Sequence, residues 1–291
     1  MKVRIGYGLG TASDTVEGPR FGALVDALDE LRFDSLWLSE RVGGNCPDPM
    51  VGLSFAAGRS TRLKLGTSVQ VLPGRNLHLL AKAWASLDRL TGGRCLPAFG
   101  LGIREPREQA AFGVERGDRA RLFDEGLPKL RRLWAGEEVD GASILPLPVQ
   151  QPMDVWLGGA APAELRRVGR HGDGWLPSFC TTVDIEEGRP VIEAEAAAHG
   201  RAIDGEHWGA LVPYLTTPGP LPDRLVDIVK LRRPDADPAD VVPSGPDELR
   251  AHLERFIGVD VSKFVLVPIG EPDDWPSHLA EIADATLGLV N

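Results

Sequence analysis

Two short glycine-containing stretches stand where a ligand could come close to the protein backbone. Gly158-Gly159-Ala160-Ala161 follows an apolar run and leads directly into Pro162, which suits the first turn of a helix. Unpaired N–H groups at such a helix start can bind an anion, although a tight turn that needs glycine explains the same residues. The other stretch contains Gly100 and Gly102, with Glu105 just beyond them. Both predict places where a ligand lies against the main chain.

The familiar catalytic signatures are incomplete. Gly66–Gln70 lacks the last glycine of a nucleophile elbow, and Gly100–Glu105 lacks the sixth-position glycine of a dinucleotide fingerprint. There is no glycine-lysine-serine or glycine-lysine-threonine phosphate loop, and the six histidines have no metal-ligand spacing. We expect no metal site. We expect most of the histidines in or beside helices to lie on the surface: His78, His171, His199, His252 and His278.

Strand-like and helix-like segments alternate along the whole chain. Eight apolar runs predict strands: VRIGYGL, DSLWLSE, LKLGTSVQVL, RCLPAFGLG, MDVWLGG, DGWLP, HWGALVPYLTT and SKFVLVPIG. Amphipathic segments between them predict helices. Eight such units predict an α/β fold, a (β/α)8 TIM barrel with insertion segments that forms a single domain over residues 1–291, with a doubly wound open sheet as the alternative. In a barrel, functional groups collect at the carboxyl ends of the strands, where the glycine stretches fall.

Composition narrows the class of protein. The chain has 291 residues, of which 43% are hydrophobic, and its net charge of -10 argues against a nucleic-acid partner. Three unpatterned cysteines favour a reducing compartment. No signal-peptide pattern and no bilayer-length apolar run is present, so we expect a cytoplasmic protein with no membrane partner. The proline-rich segment 218–246 is the expected excursion from the barrel, and residues 216–242 are the expected source of substrate specificity.

Longer stretches resemble the bacterial luciferase-like superfamily of flavin- and F420-dependent oxidoreductases. The matches stand in the family's order and cover most of the chain: FDSLWLSER, STRLKLGTSVQVLPGRN, LLAKAWASLDRLTGGR, FGLGIREP, LRRLWAGE, VWLGGAAPAELRRVGRHGDGWLP and PSGPDELRAHLERF. SLDRLTGGR and GRHGDGW are the most specific of them. The resemblance implies a (β/α)8 barrel, a cavity at its carboxyl end for the deazaflavin coenzyme F420 or for FMN, and a homodimer.

The resemblance also implies roles for the strand ends. A cis peptide between Ser68 and Val69 would support the cofactor ring from behind, with Thr67 and Ser68 facing the ligand. A regular trans strand, with both hydroxyls bonded to neighbouring loops, is the alternative. Glu105 would lie beside the ring, and the glycine-rich turn before Pro162 would hold the phosphate side. We expect nine residues to contact the cofactor: Ser68, Val69, Gln70, Gly100, Gly102, Gly158, Gly159, Ala160 and Ala161.

The second strand departs from the family's pattern. Many deazaflavin-dependent relatives have Asp-His there, whereas this chain has Glu40-Arg41. A side chain that titrates near neutrality is thus replaced by one that is always charged, and Arg41 becomes a candidate for binding an anionic substrate. Glu40 is the first candidate for proton handling and Glu105 the second. A structural carboxylate in a salt bridge is the alternative for both.

The leading prediction is hydride transfer between F420 and a small organic substrate. An FMN-dependent, luciferase-like monooxygenase is one alternative, and a non-catalytic flavin- or deazaflavin-binding protein is the other. Expected partners are the small-molecule substrate, a flavin or F420 reductase, and a second copy of the chain. The homodimer is expected through helix 76–91, whose apolar residues cannot all pack on one barrel face: Leu79, Leu80, Ala83, Trp84 and Leu87.

Overall fold

Parallel strands alternate with helices in the computed structural model, which describes residues 1–290. The strands are β1 Arg4–Leu9, β2 Ser35–Leu38, β3 Lys64–Thr67, β4 Gln70–Val71, β5 Cys95–Leu96, β6 Ala98–Gly100, β7 Trp156–Leu157, β8 Gly174–Trp175, β9 Gly209–Leu215 and β10 Lys263–Ile269. The helices are α1 Gly18–Glu30, α2 Pro49–Arg59, α3 Leu77–Thr91, α4 Pro106–Phe112, α5 Arg119–Trp134, α6 Pro162–His171, α7 Thr182–Ala198, α8 Asp223–Arg232, α9 Pro238–Val241, α10 Gly245–Ile257 and α11 Trp275–Thr286, before a 3₁₀ turn at Leu287–Leu289.

The strands form a ring with eight positions. Hydrogen bonds connect them in the orders β5-β3-β2-β1-β10-β9 and β4-β6-β7-β8, and the pairings are parallel. Bridges between Trp175 and Trp208 and between Ser178 and Leu211 connect β8 to β9. The third position consists of β3 and β4, and the fourth consists of β5 and β6, separated at Pro97. The prediction of a (β/α)8 barrel is confirmed.

The interruption in the third strand lies at the predicted peptide. The Ser68–Val69 bond is cis, which confirms that prediction. Thr67 is fully buried, and its hydroxyl is bonded to the main chain of Ala98 on the fourth strand. The expectation that the Thr67 hydroxyl faces the ligand is therefore wrong, because it completes the sheet where the two halves of the strand separate.

Local sequence signals explain where several helices begin and end. The Asn76 side chain accepts a hydrogen bond from Leu79 N at the start of α3, and Gly92 ends the helix with φ +69°. The Asp48 side chain similarly accepts from Val51 N at the start of α2, with Pro49 in the first turn. These caps satisfy N–H groups that a helix start leaves without a partner. Local sequence therefore sets where these helices begin and end.

Apolar side chains fill the barrel below its carboxyl end. The interior cluster consists of Trp37, Ala98, Trp156, Leu176, Val265 and Val267, and the Trp37 and Trp156 rings meet edge to face at 6.4 Å. A Cβ atom at Gly66 would lie 2.4 Å from the Trp37 ring, so glycine is needed there. The amino end is closed by buried Lys263, which pairs with Asp34. The large cavity of the structure lies above this cluster, at the carboxyl ends of the strands.

The proline-rich segment after β9 is more regular than the sequence predicts, and two histidines are more buried. Residues 218–246 contain α8 and α9, and these helices share a small core of Leu225, Val229, Val241 and Val242. His252 and His278 are buried rather than on the surface. None of the helices in residues 1–290 combines the length and hydrophobicity that crossing a membrane requires.

Candidate active site

A cavity of about 710 Å³ opens at the carboxyl ends of the strands. Each of the eight strand positions contributes to its wall, from Leu9 at the end of β1 to Val267 and Pro268 in β10. A volume of this size suits a small molecule or an organic cofactor. The location agrees with the end of a (β/α)8 barrel where active sites form.

The Ser68–Val69 segment forms part of the cavity wall and is held to the second strand. The Ser39 hydroxyl donates to Ser68 O at 3.0 Å, and Glu40 N donates to Val69 O at 3.1 Å. A Cβ atom at Gly100 would lie 2.5 Å from the Val69 side chain. The fourth strand therefore needs glycine at this position so that Val69 can occupy its place on the wall.

Glu40 reaches the cavity wall, but both of its carboxylate oxygens are engaged. Oε2 accepts from Val71 N at 2.7 Å, and Oε1 pairs with the Arg75 guanidinium. Burial raises the pKa of Glu40 above its ordinary value, while the charge of Arg75 opposes the shift. Arg75 also donates to Val71 O at 2.7 Å. This arrangement ties the second strand to the third.

Arg41 and Glu105 lie off the cavity wall and neutralise each other. Arg41 Nη2 donates to Glu105 Oε2 at 2.8 Å, and both side chains are more than a third exposed. The sequence analysis missed Glu108, which lies 4.0 Å from Arg41 and accepts hydrogen bonds from Val42 N and Gly43 N. A second carboxylate only three residues after Glu105 was the available signal. The three side chains hold the loop after β2 against α4.

The α6 end of the cavity also binds a carboxylate of this chain. Gly158 and Gly159 line the wall, and Gly159 has φ +91°. The N–H groups of Ala160 and Ala161 both donate to Glu164 Oε2, at 3.1 and 3.0 Å. The amides predicted to face an anion thus already have one, which belongs to the first turn of the same helix.

Six of the nine predicted cofactor contacts lie on the cavity wall: Ser68, Val69, Gly100, Gly102, Gly158 and Gly159. Gln70 does not, since it is fully buried and its Oε1 accepts from Trp84 Nε1 at 2.8 Å. Ala160 and Ala161 are exposed beside the cavity rather than on its wall. The alternation of side chains along a strand explains Gln70, because its neighbours Val69 and Val71 reach the cavity.

Several charged groups on the wall were not found from the sequence. Arg167 lines the cavity and is bound by Asp124, whereas Arg232 stacks 4.8 Å from the centre of the Phe179 ring. Burial would raise the pKa of Glu271, but hydrogen bonds from Ser13 and other residues of the loop after β1 lower it. Within residues 1–290, no group of three or more histidine, cysteine, aspartate or glutamate side chains is arranged to hold a metal ion.

The barrel and its cavity place the chain in a known class. The family model described as luciferase-like monooxygenase matches residues 4–217. The chain therefore belongs to the luciferase-like monooxygenase family, and the expected resemblance is confirmed.

Individual relatives are moderately similar. The chain is 28% identical over 194 residues to the F420-dependent glucose-6-phosphate dehydrogenase of Kineococcus radiotolerans, covering 60% of this chain and 57% of the relative. It is 29% identical over 202 residues to the limonene 1,2-monooxygenase of Rhodococcus erythropolis, covering 64% and 52%. The chain thus spans somewhat over half the length of these curated relatives. The coenzyme F420-dependent tetrahydromethanopterin reductase of Methanopyrus kandleri has the same fold, with a TM-score of 0.78, 17% identity and 100% coverage of both chains.

Proposed function

We propose that this chain is an oxidoreductase that binds F420 in the barrel cavity and transfers hydride between that cofactor and a small organic substrate. The observation that carries the proposal is the Val69 segment on the wall of a cavity of about 710 Å³ at the carboxyl end of the barrel. The relative from Kineococcus radiotolerans, which is named as F420-dependent, supports the choice of cofactor.

The cavity wall fits a flat aromatic ring. Val69, Leu176, Leu211 and Val267 provide apolar surface, and the fourth strand presents main chain at Gly100. Apolar side chains would exclude water from the ring face that they cover, and a glycine main chain allows an edge of the ring to approach closely. These residues would hold and orient the ring, and leave its other face for the substrate.

The chemistry of hydride transfer would come from the cofactor, which carries a carbon atom able to accept or release a hydride. The chain's own residues would orient the reactants and exclude water. Glu40 is better suited to positioning than to proton transfer, because Arg75 and Val71 N occupy both carboxylate oxygens. Arg41 is similarly unsuited to substrate binding while Glu105 neutralises it.

An FMN-dependent monooxygenase is the second candidate, and the similarity to limonene 1,2-monooxygenase favours it. Such an enzyme would receive reduced flavin from a reductase. A non-catalytic cofactor-binding protein is a third possibility, favoured by the fully engaged oxygens of Glu40. The same barrel fold can carry out all three candidate functions, so the bound cofactor and its turnover distinguish them.

Titration of the pure protein with F420 and, separately, with FMN tests the proposal. Absorbance and fluorescence should report saturable F420 binding, and F420 turnover should follow when candidate substrates are added. Tight FMN binding with negligible F420 binding would overturn the F420 assignment and favour the monooxygenase. F420 retention without turnover on a broad panel of substrates would favour the non-catalytic protein.

A further inference from the structure

The α6 end of the cavity contains two groups that bind anions, and carboxylates of this chain occupy both. The amides of Ala160 and Ala161 donate to Glu164 Oε2 at 3.1 and 3.0 Å. Arg167, one turn further along the helix, binds Asp124 through Nε at 2.6 Å and Nη2 at 3.1 Å. Glu164 and Arg167 both line the cavity. A ligand phosphate at this end would meet groups that are already satisfied.

We propose that Glu164 is an internal competitor for the phosphate of the cofactor. A carboxylate and a phosphate recognise helix-terminal N–H groups by the same charge-assisted hydrogen bonds, so they cannot both occupy one pair of amides. If both remained there, two negative charges would lie within a few ångströms of each other. The carboxylate must therefore leave before a phosphate binds. This inference rests on the proposed function, because it requires a flavin or deazaflavin in the cavity.

Glu164 is placed so that it can leave. Its side chain is partly exposed, and no lysine, arginine or histidine within residues 1–290 forms an ion pair with it. Asp124 differs, since two hydrogen bonds hold it to Arg167. Of the two carboxylates, Glu164 is thus the one whose displacement breaks only amide contacts. It would swing towards solvent from the first turn of α6.

Competition by Glu164 should affect only ligands that carry a phosphate. Glu164 should weaken the binding of FMN and F420, which carry a phosphate, and should leave the binding of riboflavin unchanged, because riboflavin has the flavin ring without the phosphate. The residue would thus set how strongly the protein discriminates phosphate-bearing cofactors from their phosphate-free counterparts. This effect concerns affinity and can be measured without turnover.

Equilibrium titrations monitored by fluorescence test this assignment with FMN, F420 and riboflavin at one pH and ionic strength. Glu164→Gln removes the charge with little change in shape, and Glu164→Ala frees the amides outright. Glu193→Gln is the matched control, because this substitution makes the same change in net charge. Glu193 lies on the neighbouring helix α7, where it forms an ion pair with Arg189. Melting temperatures confirm that each variant is folded.

We expect FMN and F420 to bind at least fivefold more tightly to both Glu164 variants, with riboflavin unchanged and the Glu193 control equal to the parent protein. Equal or weaker FMN and F420 binding in a folded Glu164 variant would overturn the inference and leave the proposed function standing. A parallel gain in riboflavin affinity would also overturn it, since the effect would not be specific for phosphate. Failure of all three ligands to bind the parent protein would instead remove the proposed function itself.

Discussion

The Thr67 hydroxyl and the main chain of Ala98 exchange two hydrogen bonds across the gap between the third and fourth strands. Oγ1 donates to Ala98 O at 2.7 Å, and Ala98 N donates to Oγ1 at 2.9 Å. The Thr67 side chain thus forms the hydrogen bonds to Ala98 that main-chain groups would form in an uninterrupted sheet. It explains why a threonine stands in an otherwise apolar buried strand, next to the segment that lines the cavity.

Thr67→Val should destabilise the protein although it conserves the side-chain volume. The substitution leaves the N–H and C=O of Ala98 without their partner in a fully buried place, which costs roughly 1–3 kcal/mol of unfolding free energy. Urea denaturation measures the change. Thr67→Ser keeps the hydroxyl and should lose less. Equal stability of the valine variant and the parent protein would show that the two hydrogen bonds contribute nothing.

Gly159→Asp should weaken binding of FMN or F420 at least tenfold, which corresponds to about 1.4 kcal/mol. The new carboxylate adds negative charge at the end of the cavity where we place the phosphate. Gly159 has φ +91°, and a Cβ atom there would lie 2.5 Å from Glu164 Oε2. Gly159→Ala therefore controls for bulk and backbone strain, and the difference between the two variants isolates the charge. Calorimetric titration that finds both cofactors bound with parental affinity by folded Gly159→Asp would contradict this placement.

Buried His252 should make the protein less stable in acid. Burial, with a smaller effect from Arg255, lowers the pKa of His252 from 6.5 to about 4 in the folded state. The unfolded chain therefore binds more protons between these values, and the stabilising contribution of the neutral ring is lost as pH falls from about 6.5 towards 4. By pH 5 this loss should reach about 2 kcal/mol relative to pH 7. His252 is 1% exposed, so solvent screening reduces the effect little.

The contribution of His252 can be separated from that of the carboxylates by a variant that does not titrate. His252→Gln should show a smaller drop in unfolding free energy between pH 7 and pH 5 than the parent protein, whatever its stability at pH 7. Denaturant curves at both pH values give the comparison. Parallel pH dependence in the two proteins would mean that folding does not lower the pKa of His252.

The chain should form a homodimer through exposed apolar residues of α2 and α3. The sequence analysis expected five residues of α3 to compete for space, but Leu80, Trp84 and Leu87 pack on the barrel. Leu79 and Leu90 of α3 remain 69% and 85% exposed, and Phe55 of α2 is 41% exposed. Light scattering should give twice the chain mass of 31.4 kDa. Leu79→Lys with Leu90→Lys should give the monomer, and a monomeric parent protein at micromolar concentration would refute the dimer.

Local patterns predicted the barrel well and the peripheral segments poorly. Each of the eight strand positions coincides with an apolar run, because a strand that is buried on both faces of a parallel sheet consists mostly of apolar residues. Helices α4, α8 and α9 were not expected, since α4 and α9 are short and α8 lies in a proline-rich segment. The buried positions of His252 and His278 were missed because helical spacing shows which residues share a face, but not which neighbour covers them.

The positions of the strand ends, and hence of the cavity and the glycines that line it, follow from the amino-acid order alone, because strand and turn preferences act over a few neighbouring residues. Whether a polar group at those ends is free to contact a ligand depends on partners that are distant in the sequence. Ala98 engages Thr67 from 31 residues away, and Glu105 neutralises Arg41 from 64 residues away. Glu164 lies only one helical turn from the amides of Ala160 and Ala161. Its carboxylate nevertheless accepts their hydrogen bonds only once α6 has formed. Charge and hydrogen bonding act through space, so the pairings between residues distant in the sequence exist only after the barrel has closed.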